Sequence, residues 1–127
     1  MKRMSNAQKY LIKLSRRRSR GYPLATIAYY GPTDQLATKV AVGIRDRYDK
    51  LLEMRRWYSE TSDIRADETV LEQIVAFMQE YDAQNAVTPD RIIGCPHEEG
   101  IDYPEGESCP QCPFWHGRDR WTGELLH

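Results

Sequence analysis

All three cysteines of this 127-residue chain, and two of its three histidines, lie between residues 95 and 120. The cysteines are spaced C-x13-C-x2-C, and His97 lies two residues after Cys95, inside the long gap. In a reducing compartment, thiols with this spacing beside a histidine favour a metal site over disulfides. Thiolate and imidazole donors in a tetrahedral set are typical of zinc, whereas an iron–sulfur cluster would want a fourth cysteine. The sequence therefore predicts a Zn²⁺ site.

The C-P-Q-C motif at residues 109–112 is the most specific half of this site. It resembles the knuckle of zinc and rubredoxin sites, in which a tight turn brings two thiolates to one metal. The resemblance covers four residues and implies nothing about the remaining fold. It also departs from the usual pattern, because Pro113 follows where glycine is usual and proline has no N–H to donate to a thiolate.

The ligand set that we predict contains four residues: Cys95, His97, Cys109 and Cys112. His97 lies closer to Cys95 than the usual gap between paired ligands, so a turn at Pro96 would have to bring the two side chains together. His116 is the alternative fourth ligand, since the C-x3-H gap after Cys112 is also typical of ligands.

Four protein ligands would close the coordination sphere, whereas catalytic zinc keeps one position for water. The letters H-x-E and C-x-x-C do match the signature of zinc deaminases, with Glu99 as the proton shuttle. However, only 11 residues separate His97 from Cys109, and Gly100 and Gly106 break any helix between them. We therefore predict a non-catalytic metal, with a zinc-dependent hydrolase or deaminase as one alternative.

Charge is distributed unevenly along the chain. Residues 1–20 carry eight basic residues and no acidic one, whereas residues 21–127 carry ten basic and 19 acidic residues. Such asymmetry indicates an interaction segment, and we call residues 1–20 the basic arm. We predict local, salt-dependent contact with nucleic acid phosphates. The predicted contact residues are Lys13, Arg16, Arg17, Arg18, Arg20, Arg118, Arg120 and Trp121.

Two other interpretations of the basic arm remain open. In a protein-interaction adaptor it would dock on an acidic surface of a partner, or on the same body in a homodimer. A mitochondrial presequence has a similar composition, although we expect a cytoplasmic protein. No run of apolar residues approaches the roughly 18 that a membrane helix needs.

Periodicity predicts the elements that must position the metal site. Ser5 and Gln8 form a capping box before a helix over residues 6–18. Residues 24–30 and 37–44 predict a hairpin, and residues 51–59 favour a third strand over a helix. Asp67 caps a helix with a wide apolar stripe, and residues 86–93 could add an edge strand.

The predicted fold class is α+β. We expect a small antiparallel sheet of three or four strands with one packing helix. Residues 21–127 would form a single domain that includes a loop-rich C-terminal lobe, residues 94–121, stabilised by zinc. Glycine and proline recur through this lobe, and metal binding can offset the entropy of ordering such a chain.

Overall fold

The computed structural model describes residues 5–15, 21–88 and 91–117. Within these ranges, two helices and four strands follow in the order α1 (Asn6–Ser15), β1 (Leu24–Tyr30), β2 (Lys39–Arg45), β3 (Leu51–Tyr58), α2 (Glu68–Glu80) and β4 (Asn85–Val87). Short 3₁₀ turns lie at Ile64–Ala66 and Pro113–Trp115. The predicted α+β class is confirmed, and so are the hairpin, the third strand and the Asp67-capped helix.

The sheet is mixed, which corrects the prediction of an antiparallel sheet. Its strand order is β3-β2-β1-β4, and β4 pairs parallel with β1 while the other pairs are antiparallel. The reason is the path of the chain between β3 and β4. Because α2 carries the chain back to the starting end of β3, β4 runs in the same direction as β3 and therefore as β1.

One face of the sheet and the apolar stripe of α2 form the core. Val40, Val42 and Ile44 of β2 are completely buried there, and so is Met78 of α2. Asp67 accepts a hydrogen bond from the Val70 amide at 3.1 Å, which fixes the start of α2.

Helix α1 packs on the same side of the sheet. The Ser5 hydroxyl accepts from the Gln8 amide at 3.1 Å and the Gln8 side chain accepts from the Ser5 amide at 2.9 Å, so the predicted capping box is confirmed. Leu14 is 4 % exposed and belongs to the main core cluster, and Ala7 packs with Leu71 and Val75 of α2. Lys9 and Lys13 lie on the exposed side of the helix. The predicted helix is confirmed over Asn6–Ser15, whereas the division of the chain at residue 20 stays a prediction.

Strand β2 is also buried on the face of the sheet that points away from α2. Lys39 and Ala41, which point away from α2, are 3 % and 8 % exposed. A cleft of about 300 Å³ lies between part of this face and the lobe, and both Lys39 and His97 line it. β2 is therefore buried on both faces, with α2 on one side and the lobe on the other. Neither described α-helix, at 10 and 13 residues, is long and apolar enough to cross a membrane.

Candidate metal centre

The structure brings the four predicted ligands together. The three sulfurs and one imidazole nitrogen of Cys95, His97, Cys109 and Cys112 all lie within 4.8 Å of one another. His97 Nδ1 faces the three sulfurs at 3.3 Å from Cys95, 3.4 Å from Cys109 and 3.5 Å from Cys112. This arrangement of donors could hold a metal ion.

Donor spacing can be compared with a tetrahedral zinc site. With Zn–S near 2.3 Å and Zn–N near 2.0–2.1 Å, tetrahedral geometry places each sulfur roughly 3.5–3.6 Å from the nitrogen. The observed separations of 3.3–3.5 Å are slightly shorter than these values. The donor chemistry and the donor spacing therefore both fit zinc.

Two short turns create this convergence. At Pro96 the chain folds back, so that the His97 amide donates to Cys95 Sγ at 3.3 Å. At the C-P-Q-C motif the Cys112 amide reaches the Cys109 carbonyl at 3.5 Å, and the 3₁₀ turn Pro113–Trp115 follows at once. The first turn supplies an N–H···S hydrogen bond, the kind of contact that Pro113 cannot make after the second cysteine.

The pKa values of two of the thiols argue against a redox-active motif. Burial raises the pKa of Cys112, and the neighbouring thiols of Cys95 and Cys109 raise it further. Burial is also the main cause of a raised pKa at Cys95. A redox-active C-x-x-C motif requires the opposite shift, since its attacking thiol must ionise readily. A divalent cation among the sulfurs would reverse the balance, because coordinating thiols lose their protons.

His116 does not join this group. Its Nε2 lies 2.7 Å from the Cys109 carbonyl oxygen, and since a carbonyl only accepts, Nε2 is the protonated nitrogen. The side chain supports the backbone beside Cys109 rather than facing the sulfurs. Of the two predicted candidates for a fourth donor, the structure places His97 at the cluster.

A buried lysine of the sheet forms hydrogen bonds with the turn at Pro96. Lys39 of β2 donates to the Pro96 carbonyl at 3.1 Å and to Glu98 Oε1 at 3.0 Å. Arg56 of β3 donates to the same carboxylate oxygen at 2.6 Å. The hydrogen bond from Lys39, followed by that from Arg56, lowers the pKa of Glu98. We call these three side chains the lysine clamp.

Sequence reasoning missed the lysine clamp. The predicted strand over residues 37–44 contains Lys39, but no pattern in the sequence links this residue to Glu98. The available indication was a lysine in a strand otherwise rich in apolar residues, since a lysine buried there needs an acidic partner.

A second attachment involves Gly31, just after β1. Its amide donates to the Gly94 carbonyl at 2.9 Å, and its carbonyl accepts from Trp115 Nε1 at 2.7 Å. An added Cβ on Gly31 would lie 1.7 Å from the Leu36 carbonyl oxygen, so only glycine fits. Trp115 also packs against the core cluster, so it links the lobe to the body by both a hydrogen bond and apolar contact.

The proposed proton shuttle of the deaminase interpretation has a structural contact instead. Glu99 Oε1 accepts from the Gly106 amide at 3.0 Å and so closes the loop between the two ligand pairs. Gly106 has φ +84, a left-handed conformation that glycine adopts without strain. With Cys95 as a fourth donor, the described residues already fill a tetrahedral set.

Most of the predicted nucleic-acid contacts fall outside the described residues. These are Arg16, Arg17, Arg18, Arg20, Arg118, Arg120 and Trp121. Lys13 alone is described, and it is exposed on α1. The contact prediction therefore stays a prediction.

Comparison with known proteins gives no relative from which a function could be transferred. No family model, no curated protein and no solved structure matches this chain.

Proposed function

We propose that this protein is a small zinc-binding module in which the metal is structural rather than catalytic. The observation that carries this proposal is the position of His97 Nδ1, 3.3–3.5 Å from all three cysteine sulfurs. Zinc at their centre would have four protein ligands and no position for a water nucleophile. Its task would be to hold the C-terminal lobe on the sheet.

Elemental analysis of tag-free protein tests the metal assignment. We expect one zinc per chain in wild type and in His116→Ala, and loss of zinc in His97→Ala. The two variants are matched, because each removes one imidazole from the same lobe. Wild-type protein without zinc, or His97→Ala with undiminished zinc, would refute the proposal. Cobalt substitution adds a spectroscopic check, since tetrahedral thiolate ligation gives intense visible absorption.

We further propose that the module acts by binding nucleic acid through its basic arm. Support comes from the eight basic residues of the arm and from the way α1 packs. Its apolar side is already buried through Ala7 and Leu14, so the side left for a partner carries Lys9 and Lys13. Such a surface suits phosphate groups, which are recognised by charge rather than by apolar contact.

Deleting the arm would be a poor test, because it would remove Leu14 from the core. Point substitution is better: Arg17→Gln with Arg18→Gln, against Arg47→Gln with Lys50→Gln. The control pair removes the same charge from an exposed turn between β2 and β3. Binding to a labelled oligonucleotide is followed by fluorescence anisotropy over a salt series.

For the arm variant we expect weaker binding and a salt slope reduced by about 1.4–1.8, since each phosphate contact contributes roughly 0.7–0.9. The control should keep the wild-type slope. Wild-type protein that shows no salt-dependent binding would exclude this function and leave the adaptor interpretation. Equal losses in both variants would mean that net charge, and not the arm, attracts the nucleic acid.

A further inference from the structure

The two edges of the sheet are unequal. β4 at one edge has three residues, whereas β3 at the other has eight. β3 is last in the strand order, so among the described residues no strand pairs with its outer side. Long open edges are templates for pairing with another strand.

The ladder shows which β3 amides point outward. The Ser59 amide donates to the Thr38 carbonyl at 2.8 Å, towards β2. Because peptide groups alternate along a strand, Glu53, Arg55 and Trp57 also point their backbone groups towards β2. Those of Leu52, Met54 and Arg56 then point outward. The Met54 amide is consistent with this, since it donates to the carboxylate of Glu53 at 3.0 Å rather than to β2.

Apolar side chains lie along this edge. Leu52 is 44 % exposed and Tyr58 is 64 % exposed. On the other face, a cleft between β3 and α2 is lined by apolar residues, Trp57, Phe77 and Ala76, and by polar ones, Arg55, Arg56, Gln73 and Glu80. An open ladder with exposed apolar side chains and with both signs of charge along it describes an interaction surface rather than a solvated strand.

We propose that a second copy of this chain pairs with β3, antiparallel, about a two-fold axis at Met54. In this register Glu53 lies directly opposite Arg55 of the partner subunit, and the symmetry repeats the contact. Leu52 lies opposite Arg56 of the partner subunit. Opposed residues share a face of the sheet in such a pair, so the Glu–Arg contacts lie on the side that carries α2.

The charges of β3 select this register over its neighbours. A two-fold axis perpendicular to the sheet places one residue opposite its own copy. Centred on Glu53, Arg55 or Arg56, it would oppose identical charges, which destabilises a cross-strand pair. An axis centred on Met54 instead places Met54 opposite its own copy. It also places Glu53 opposite Arg55 of the partner subunit, once on each side of the axis.

The two copies would form one continuous sheet of eight strands. In forming it, the Met54 amide transfers its hydrogen bond from Glu53 to the Met54 carbonyl of the partner subunit. The Glu53 carboxylate is thereby released to pair with Arg55 of the partner subunit. The contact is isologous, as is usual for homodimers.

Charge exchange tests the pairing in the full, zinc-loaded chain. Sedimentation equilibrium should give wild type a mass twice the 14.8 kDa of one chain. Glu53→Arg and Arg55→Glu should each give monomers, because each places like charges opposite one another. The double variant restores opposite charges and should restore the dimer. Arg55 also pairs with Glu80 at 3.2 Å, and Glu53 accepts from the Tyr81 hydroxyl at 3.5 Å. Circular dichroism must therefore show that each single variant is folded.

A pair of cysteine variants tests the register. Met54→Cys brings two thiols together at the axis, where Cα atoms of a hydrogen-bonded pair lie about 5.5 Å apart, within disulfide range. Tyr58→Cys places its thiols eight residues apart, about 26 Å. With diamide, we expect a covalent dimer for Met54→Cys beyond the background of wild type, and none for Tyr58→Cys. A wild-type monomer, single variants that stay dimeric, or a double variant that stays monomeric would each overturn the proposal, as would equal cross-linking at both positions.

Discussion

The sheet body (residues 21–88) and the C-terminal lobe (residues 94–121) are stabilised in different ways. In the body, β2 and α2 bury large side chains such as Ile44 and Phe77 on one another. In the described part of the lobe, Cys109 and Cys112 are the only buried residues. Few apolar side chains are available to the lobe, so its order depends on the lysine clamp, on the Gly31 contacts and, under the proposed function, on the metal ligands. A segment with almost no core of its own is thus held against a well-packed sheet.

Removing the metal should produce the largest difference in stability between the lobe and the body. Structural zinc contributes roughly 10–16 kcal/mol of apparent binding free energy, far more than the few hydrogen bonds of the lysine clamp and Gly31 would supply at about 1 kcal/mol each. After treatment with a chelator, or in Cys112→Ser, amides of residues 94–117 should lose hydrogen-exchange protection. Amides of β1 and β2 should keep theirs. Equal loss in both regions would show that the body also depends on the metal.

Gly31→Ala should disrupt the hydrogen bonds that attach the lobe to the body at Gly31. The new methyl group cannot fit beside the Leu36 carbonyl oxygen, 1.7 Å away, so β1 must shift and lose its contacts with Gly94 and Trp115. We expect the free energy of unfolding to fall by at least about 1–3 kcal/mol, as for overpacked sites. Gly94→Ala is the matched control, since its nearest neighbour would be 3.9 Å away. Equal denaturation midpoints for the two variants would contradict this account.

Lys39→Met should loosen the lobe without unfolding the body. It removes hydrogen bonds to the Pro96 carbonyl and to Glu98, at an expected cost of about 1–3 kcal/mol. Zinc release to a coloured chelator should be faster than in wild type. Arg45→Met removes an ion pair with Asp49 that is largely exposed, so release should be unchanged there. Identical release rates in both variants would mean that the clamp does not hold the ligands.

The smallest expected effect is an acid-dependent one in the body. A hydrogen bond from the Arg65 side chain, with further bonds from the Ala37 and Arg65 amides, lowers the pKa of Asp63 to about 2 from 3.8. A lowered folded-state pKa gives stability that is present above the ordinary pKa and lost as pH falls towards 2. Asp63→Asn should flatten the stability profile between about pH 4 and 2 by less than about 1 kcal/mol. Urea titrations of wild type and Asp63→Asn across this pH range check the prediction, and identical profiles would contradict it.

Local sequence patterns were sufficient to predict helix α2 and most of the strands of the body. The apolar stripe after Asp67 predicted α2, because helical spacing and a cap are both readable within a few turns. The alternation in residues 37–44 predicted β2 for the same reason. The parallel pairing of β4 was missed, since it depends on the path of the chain around α2 and not on the three residues of the strand.

The ligand set was also readable, because cysteine and histidine spacing is itself a local pattern. The structure gathers the predicted Cys95, His97, Cys109 and Cys112. What holds the lobe in place was not predictable, since Lys39 and Glu98 are 59 residues apart in the sequence. No periodicity connects residues so distant, so the sequence does not indicate which acid would pair with Lys39.

The position of Trp115 has a practical consequence for spectroscopy. Its indole donates to the Gly31 carbonyl and so links the lobe to the body. Trp57, by contrast, packs edge-on against Phe77, with ring centroids 6.2 Å apart, inside the body. Each region therefore contains its own intrinsic fluorophore. With Trp57→Phe and Trp121→Phe, Trp115 is the one tryptophan left of the three in the sequence, and its emission reports undocking of the lobe without any added label.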